Sequence, residues 1–174
     1  MKEYFDLYDV NKERTGAVHE RWQPMPEGCF RLNVALCIFN TRGELLIQKR
    51  TDTKAAWPGL WDVSVCGSVL AGETSQQAMG RELKEELGLV HDFTDTRPRL
   101  TLTYSEGFSD IYILVTDPDP DDIRLQEEEV EEVIWADKDT VLRMIREGMF
   151  IAVYPSLIDL LFDLKDSKGY MLPA

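Results

Sequence analysis

Cysteine, positive charge and long apolar runs are all scarce in this sequence of 174 residues. The three cysteines, Cys29, Cys37 and Cys66, are an odd set without the spacing of metal ligands. Only 19 lysines and arginines stand against 32 aspartates and glutamates, and the net charge of −13 argues against a nucleic-acid or anionic-membrane partner. No apolar run has the length of a signal peptide or a membrane span, so a reducing cytoplasm is the expected location.

The remaining composition is that of a globular protein, with 44% hydrophobic and 10% aromatic residues. This length fits a single domain that can bury a sizeable core. We expect an N-terminal hairpin and linker over residues 1–28, a core over residues 29–165 and a loose tail over residues 166–174. The hairpin is also a plausible contact surface for a symmetric homodimer.

Alternating apolar and polar residues predict strands, and turn residues separate them. The predicted strands are 3–9 and 17–21 in the first hairpin, 30–39 and 44–50 in a second hairpin, then 61–65, 99–104, 110–116 and 130–135. Two helices are predicted near the C-terminus, at about 140–147 and 156–165. Helices that flank a central set of strands indicate an α/β sandwich.

The segment between the predicted strands 61–65 and 99–104 contains one strongly specified helix. Thr74 and Gln77 have the spacing of a capping box, which predicts a helix that starts at Ser75. Gly88 can adopt the left-handed conformation that ends a helix, so Leu87 is the expected last residue.

Three carboxylates lie on one face of this helix. Glu85 and Glu86 follow Glu82 by three and four residues, and such positions are neighbours on a helix. Clustered carboxylates suit hard cations, above all Mg²⁺ or Mn²⁺. Arg81 can pair back to Glu73 in the preceding loop. The alternative interpretation is a solvated acidic face of a surface helix.

The whole constellation resembles the Nudix box, and all nine restricted positions are filled. They are Gly67, Glu73, Arg81, Glu82, Leu83, Glu85, Glu86, Gly88 and Leu89, with Leu87 at an unrestricted position of the pattern. The resemblance to the Nudix hydrolase superfamily implies an α/β/α sandwich with a central mixed sheet. It also implies hydrolysis of a nucleoside diphosphate linked to another moiety, with Mg²⁺ or Mn²⁺ as cofactor.

The resemblance also implies roles for individual residues. It assigns metal binding to Glu82, Glu86, Glu85 and the carbonyl group of Gly67, and catalysis to Glu85, Glu86 and Arg81. Glu85 would either bind a second metal ion or act as the general base. The number of metal ions and the identity of the diphosphate substrate stay open.

Three groups outside the box have two interpretations each. A glutamate within residues 127–132 is a second candidate for the general base, although such runs are more typical of a solvated acidic edge. Arg50 could bind a substrate phosphate or form a surface ion pair. The aromatic residues that could stack on a base, or simply fill the core, are Trp57, Trp61, Tyr104, Phe108 and Tyr112.

Within the superfamily, the sequence looks most like the branch that includes isopentenyl-diphosphate isomerase. The segments with this resemblance are 6–9, 46–50, 57–62 and 64–67, and Cys66 matches the isomerase's catalytic cysteine. However, Ser68 stands where that enzyme has a histidine, residues 28–36 contain no histidine, and the hydrolase box is whole. A hydrolase is therefore favoured, with Cys66 as a small buried side chain. An isomerase and a non-catalytic nucleotide-sensing module are the alternatives.

Overall fold

A seven-stranded mixed sheet runs through the middle of the protein. The structure is a computed structural model that describes residues 2–167, 169 and 171. The strands are β1 (Tyr4–Tyr8), β2 (Arg14–Glu20), β3 (Arg31–Phe39), β4 (Leu45–Arg50), β5 (Trp61–Asp62), β6 (Val65–Ser68), β7 (Leu100–Tyr104), β8 (Gly107–Val115) and β9 (Val130–Ala136). The helices are α1 (Ser75–Leu87), α2 (Lys138–Arg146) and α3 (Pro155–Leu164). A short 3₁₀ turn covers Pro120–Asp122.

The sheet has the order β5-β4-β3-β8-β7, with β6 also paired to β3 and β9 to β4. Strands β3 and β8 are parallel, and the other pairs are antiparallel. Helix α1 covers one face, and α2 and α3 cover the other. This arrangement confirms the predicted α/β/α sandwich with a mixed sheet.

Strand β3 supplies both halves of the core because its side chains alternate between the two faces. Val34, Leu36 and Ile38 pack towards α1. Cys37 and Phe39 pack against α2 and α3. Each fully buried aliphatic side chain contributes roughly 1.5–3 kcal/mol to folding, so this strand anchors the two layers of helices to the sheet.

The predicted hairpin of strands β3 and β4 is correct in its turn but wrong in its pairing. The two strands pair only at Phe39 and Leu45, next to the turn, and then diverge. Ser64 fills the gap: its Oγ accepts from the backbone N–H of Ile38 at 2.8 Å and donates to the carbonyl of Leu46 at 2.5 Å. A side-chain hydroxyl therefore replaces the missing backbone hydrogen bonds.

The predicted strand 61–65 is in fact two strands. Strand β5 pairs with β4, whereas β6 pairs with β3. The chain passes from one partner to the other at Val63 and Ser64, which places the first residue of the box, Gly67, beside β3. One hydrophobic run in the sequence could not reveal this change of partner.

The predicted N-terminal hairpin is present and packs on the loop before α1. The backbone N–H of Ala71 donates to the carbonyl of Tyr4, and that of Gly72 donates to the Asp6 carboxylate, both at 2.9 Å. The linker after the hairpin leads into β3. The loop between β6 and α1, which carries Glu73 of the box, is thereby held against the hairpin.

Helix α1 matches its prediction at both ends. Thr74 Oγ1 accepts from the backbone N–H of Gln77 at 3.2 Å, and Oε1 of Gln77 accepts from the backbone N–H of Thr74 at 2.8 Å. The helix runs from Ser75 to Leu87, and Gly88 has φ 71°. The box helix therefore has fixed limits and a fixed rotation, which set the direction of its glutamates.

The C-terminal helices lie close to their predicted positions. Helix α2 begins two residues early because the Asp137 carboxylate accepts from the N–H of Thr140 at 2.8 Å. Of the predicted tail 166–174, residues 168, 170 and 172–174 lie outside the described part of the chain. Within the described part, no helix is long and apolar enough to cross a membrane.

Candidate active site

The predicted acidic residues of α1 converge on one small cleft. Glu82, Glu85 and Glu86 line a cavity of about 100 Å³ together with Gly67 and Arg81. The cavity lies where β6 meets the helix, with the carboxylate of Glu82 directly against the α-carbon of Gly67. The interpretation as a solvated acidic face therefore does not describe Glu82 or Glu86, which are largely enclosed.

Arg81 forms five hydrogen bonds in the site, four of them to carboxylates. Its guanidinium donates to both carboxylate oxygens of Glu73, at 2.8 and 3.0 Å, and to the carbonyl of Ser68 at 2.9 Å. Its Nη1 donates to Glu82 at 2.8 Å and to Glu85 at 2.9 Å. Burial acts to lower the pKa of Arg81, but the hydrogen bond to Glu73 and the charge of Glu82 raise it. The expected Arg81–Glu73 pair thus extends to two further acids.

Glu86 is the most enclosed acid of the cleft, with only 3% of its surface exposed. Its Oε2 accepts from Gln48 Nε2 at 3.0 Å and from the backbone N–H of Cys66 at 3.3 Å. Burial, and then the negative charge of Glu82, raise the pKa of Glu86 to about 8. The site thus holds two neighbouring carboxylates whose mutual repulsion has not been fully neutralised.

The donor set of the cleft fits a hard divalent cation. Two enclosed carboxylates, Glu82 and Glu86, meet beside the backbone of Gly67, and oxygen donors are those that Mg²⁺ and Mn²⁺ prefer. Burial also raises the pKa of Glu82, despite the opposing charge of Arg81. No group of three or more His, Cys, Asp or Glu side chains among the described residues is already gathered into a metal-binding arrangement. Arg81 binds one oxygen each of Glu82 and Glu85, which helps to explain why these carboxylates are not already gathered around one point.

Two residues of the cleft come from loops distant in the sequence. Glu129 lines the cleft and is the member of the predicted acidic run 127–132 that reaches it; it forms an ion pair with Lys54. Lys54 also lines the cleft, and burial and the nearby Arg50 lower its pKa. Lys54 and Gln48 were not predicted as site residues, because only the fold brings β4 and the loop after it beside α1.

Arg50 lies in a second cleft of about 390 Å³ that adjoins the first. Its Nη1 donates to Asp62 at 3.1 Å and its Nε donates to the carbonyl of Ala56 at 3.1 Å. The Arg50 side chain is only 10% exposed, so this ion pair is enclosed rather than on the surface. Phosphate binding by Arg50 stays a prediction, and the observed contacts show Arg50 holding the loop that follows β4.

The aromatic candidates divide into core residues and surface residues. Phe108 and Tyr112 are buried in the core, and the hydroxyl of Tyr104 accepts hydrogen bonds from side chains of β3. Trp57 is exposed but lines neither of the two clefts. Trp22, which was not among the predicted stacking residues, lines the larger cleft.

Cys66 occupies a partly buried position between two acids. Its Sγ lies 3.7 Å from Oδ1 of Asp62, and its backbone contacts Glu86. Burial, and then the charge of Asp62, raise the pKa of the thiol well above its ordinary value. A thiolate nucleophile is therefore disfavoured at this position.

Comparison with known proteins identifies the family. The NUDIX domain family model matches residues 30–153, and an uncharacterized Nudix hydrolase of Listeria monocytogenes is 40% identical over 95% of this chain and 96% of its own. The chain belongs to the Nudix hydrolase family. An isopentenyl-diphosphate Delta-isomerase of Corynebacterium diphtheriae is 30% identical over 64% of this chain and 66% of its own. This match confirms the resemblance to that branch.

The fold is also similar to that of a solved structure. A crystal structure of a protein from Deinococcus radiodurans superimposes with a TM-score of 0.73 and 26% identity, over 91% of this chain and 97% of the other. The match covers more of the chain than the family model does, so it extends beyond residues 30–153.

Proposed function

We propose that the protein is a metal-dependent hydrolase that cleaves the diphosphate bond of a nucleoside diphosphate or a compound linked to one. The observation that carries this proposal is the convergence of Glu82, Glu85 and Glu86 on a single cleft with Gly67 and Arg81. Glu82 and Glu86 are enclosed, and burial and then their mutual repulsion raise the pKa of Glu86, so this pair is suited to attract Mg²⁺ or Mn²⁺. Membership of the Nudix hydrolase family supports the same reaction class.

Glu82, Glu86 and the carbonyl of Gly67 would hold the ion. When bound, a divalent cation neutralises phosphate oxygens and lowers the pKa of water. Gln48 and the backbone N–H of Cys66 fix the carboxylate of Glu86. Fixed carboxylates lose little free energy to reorganisation when charge develops in the transition state.

Glu85 is our assignment for the general base. Its side chain is half exposed at the mouth of the cleft, while its contact with Arg81 sets its direction. Glu129, the other candidate, is paired with Lys54. We expect Glu85→Gln to lower kcat by about 10²–10⁴-fold, the usual contribution of a positioned base, and Glu129→Gln to lower it much less. The reverse order would move the assignment to Glu129.

A screen of nucleoside diphosphate derivatives tests the proposal. With Mg²⁺ or Mn²⁺, the protein should release phosphate or a nucleoside monophosphate, and a chelator should stop the release. Glu86→Gln should abolish the activity without unfolding the protein. Glu127→Gln, at an exposed position of the acidic run, is the matched control and should retain it. Unchanged turnover by Glu86→Gln would remove the metal assignment.

An isomerase is the second candidate, because Cys66 lies at the site and isopentenyl-diphosphate isomerases are among the relatives. It would convert an allylic diphosphate without releasing phosphate. A sensing module would bind a nucleoside diphosphate without turnover at any metal concentration. The three outcomes differ in product, so the same screen separates them.

A further inference from the structure

The larger cleft is continuous with the carboxylate cleft and is built partly from the N-terminal segment. Both clefts are lined by Glu3, Arg21, Lys54 and Glu129. The family model begins only at residue 30, so Glu3 and Arg21 lie outside the part of the chain that it describes. The N-terminal segment therefore adds to the carboxylate cleft a wall that the family model does not cover.

Trp22 stands at the edge of this wall in an unusual conformation. Its side chain is 68% exposed, and its φ of 73° is in the left-handed region that a bulky residue rarely adopts. Neither feature helps to bury apolar surface. Strained backbone at the edge of a cleft is a common mark of a functional residue.

Arg21 links Trp22 to the carboxylate site. Its guanidinium carbon lies 4.8 Å from the centre of the Trp22 ring, which is a cation–π contact. The same side chain forms an ion pair with Glu3 and lines the carboxylate cleft. Lys54 approaches from the loop after β4, so two cations lie between the indole and the three glutamates of α1.

This order of groups matches the order of groups in a nucleoside diphosphate. Carboxylates that can hold a cation lie at one end, cations that can bind phosphate oxygens follow, and a flat aromatic ring lies at the other end. A base can stack on an exposed indole whatever its hydrogen-bonding pattern, because every base has a π-face. A continuous concave surface favours a small ligand over a flat partner surface.

We propose that Arg21 and Trp22 form the specificity site of the protein, with Trp22 stacking on the nucleobase and Arg21 and Lys54 contacting the phosphate oxygens. This inference rests on the proposed function for its substrate class. It adds that the N-terminal hairpin, and not only the box, contacts the substrate.

Binding of uncleavable analogues tests this inference separately from hydrolysis. The probes are the α,β-methylene analogues of ADP, GDP, CDP and UDP, with methylenediphosphonate as the probe that lacks a base. Titration calorimetry with Mg²⁺ should show that Trp22→Ala weakens binding of at least one nucleotide analogue tenfold or more. Binding of methylenediphosphonate should change less than twofold, and Trp22→Phe should restore nucleotide binding to within about threefold.

Trp57→Ala is the matched control. Trp57 is also exposed, at 50%, and also has a positive φ, 53°, but it does not line either cleft. Its substitution should leave the affinity for every probe unchanged. Arg21→Gln should weaken both kinds of probe, because Arg21 is expected to contact phosphate. Thermal unfolding of each variant checks that the fold is retained.

The two proposals fail in different ways. If Trp22→Ala binds all probes like the unmodified protein, or if that protein binds none of the four nucleotide analogues at millimolar concentration, the specificity site is wrong. If the analogues bind through Trp22 but no diphosphate is cleaved with Mg²⁺ or Mn²⁺, the hydrolase proposal is wrong and the specificity site stands. A loss of dimers in Trp22→Ala, with unchanged affinity, would instead identify a contact between copies of the chain.

Discussion

Gly67 and Glu82 are in such close contact that no side chain fits between them. A β-carbon at position 67 would lie 2.0 Å from both Cδ and Oε1 of Glu82. The glycine therefore serves close packing of a carboxylate rather than a turn. The contact also explains why a strand residue and a helix residue fifteen positions later belong to the same motif.

Gly67→Ala should displace the Glu82 carboxylate and lower metal-dependent hydrolysis at least tenfold, with the fold retained. Gly80→Ala is the control, on the helix that carries Glu82, because the added β-carbon would meet only ordinary contacts at 3.8 Å or more. That substitution should leave activity unchanged and stabilise the helix by about 0.5–1 kcal/mol. Equal activity of the two variants would contradict the placement of Glu82 in the metal site.

The pH dependence of stability should report the enclosed Glu86. Its pKa is about 8 in the folded protein against an ordinary 4.5, so the folded state holds the proton more tightly than the unfolded state. The contribution of Glu86 to the free energy of unfolding is therefore fully present below pH 4.5 and is lost as the pH rises towards 8. Urea unfolding in the presence of a chelator should show that Glu86→Gln loses less stability between pH 5.5 and 9 than the unmodified protein does.

The same variant should respond differently to metal. Mg²⁺ or Mn²⁺ should stabilise the unmodified protein more at pH 8 than at pH 6, since binding requires the ionised carboxylate. Glu86→Gln should lose most of this stabilisation. An identical metal effect in both proteins would show that the ion binds elsewhere.

Arg81→Lys should be far from conservative. Lysine keeps the charge but cannot reproduce the paired hydrogen bonds to Glu73 together with those to Glu82 and Glu85. We expect at least a tenfold lower kcat and a free energy of unfolding lower by about 1–3 kcal/mol. Lys84→Ala, at an exposed position of the same helix, should change stability by no more than about 0.5 kcal/mol.

Cys66→Ala should separate the hydrolase from the isomerase. The backbone N–H that contacts Glu86 is kept, and the raised pKa of the thiol disfavours a nucleophilic role. Hydrolysis should fall less than about threefold, and iodoacetamide at pH 8 should modify Cys66 slowly. Rapid inactivation by alkylation, or loss of all turnover in the variant, would support the isomerase.

Local patterns predicted the elements that depend on local physics. The capping box of Thr74 and Gln77 and the left-handed Gly88 set both ends of α1 without help from the rest of the fold. The predicted strand 30–39 is likewise present as β3, whose side chains alternate between α1 and the pair α2 and α3 as strand geometry requires. The strand pairing failed at β4 because a turn specifies only the pair next to it, while the partner further along is chosen by distant strands.

The sequence by itself determined which acids share one helix face, since helical spacing alone relates Glu82, Glu85 and Glu86. Only the tertiary structure decided their surroundings. Burial and contacts with Gln48 and Arg81 distinguish an enclosed Glu86 from a half-exposed Glu85, although the two are adjacent in sequence. The physical reason is that ionisation and binding depend on groups brought together through space, and residues distant along the chain supply most of them.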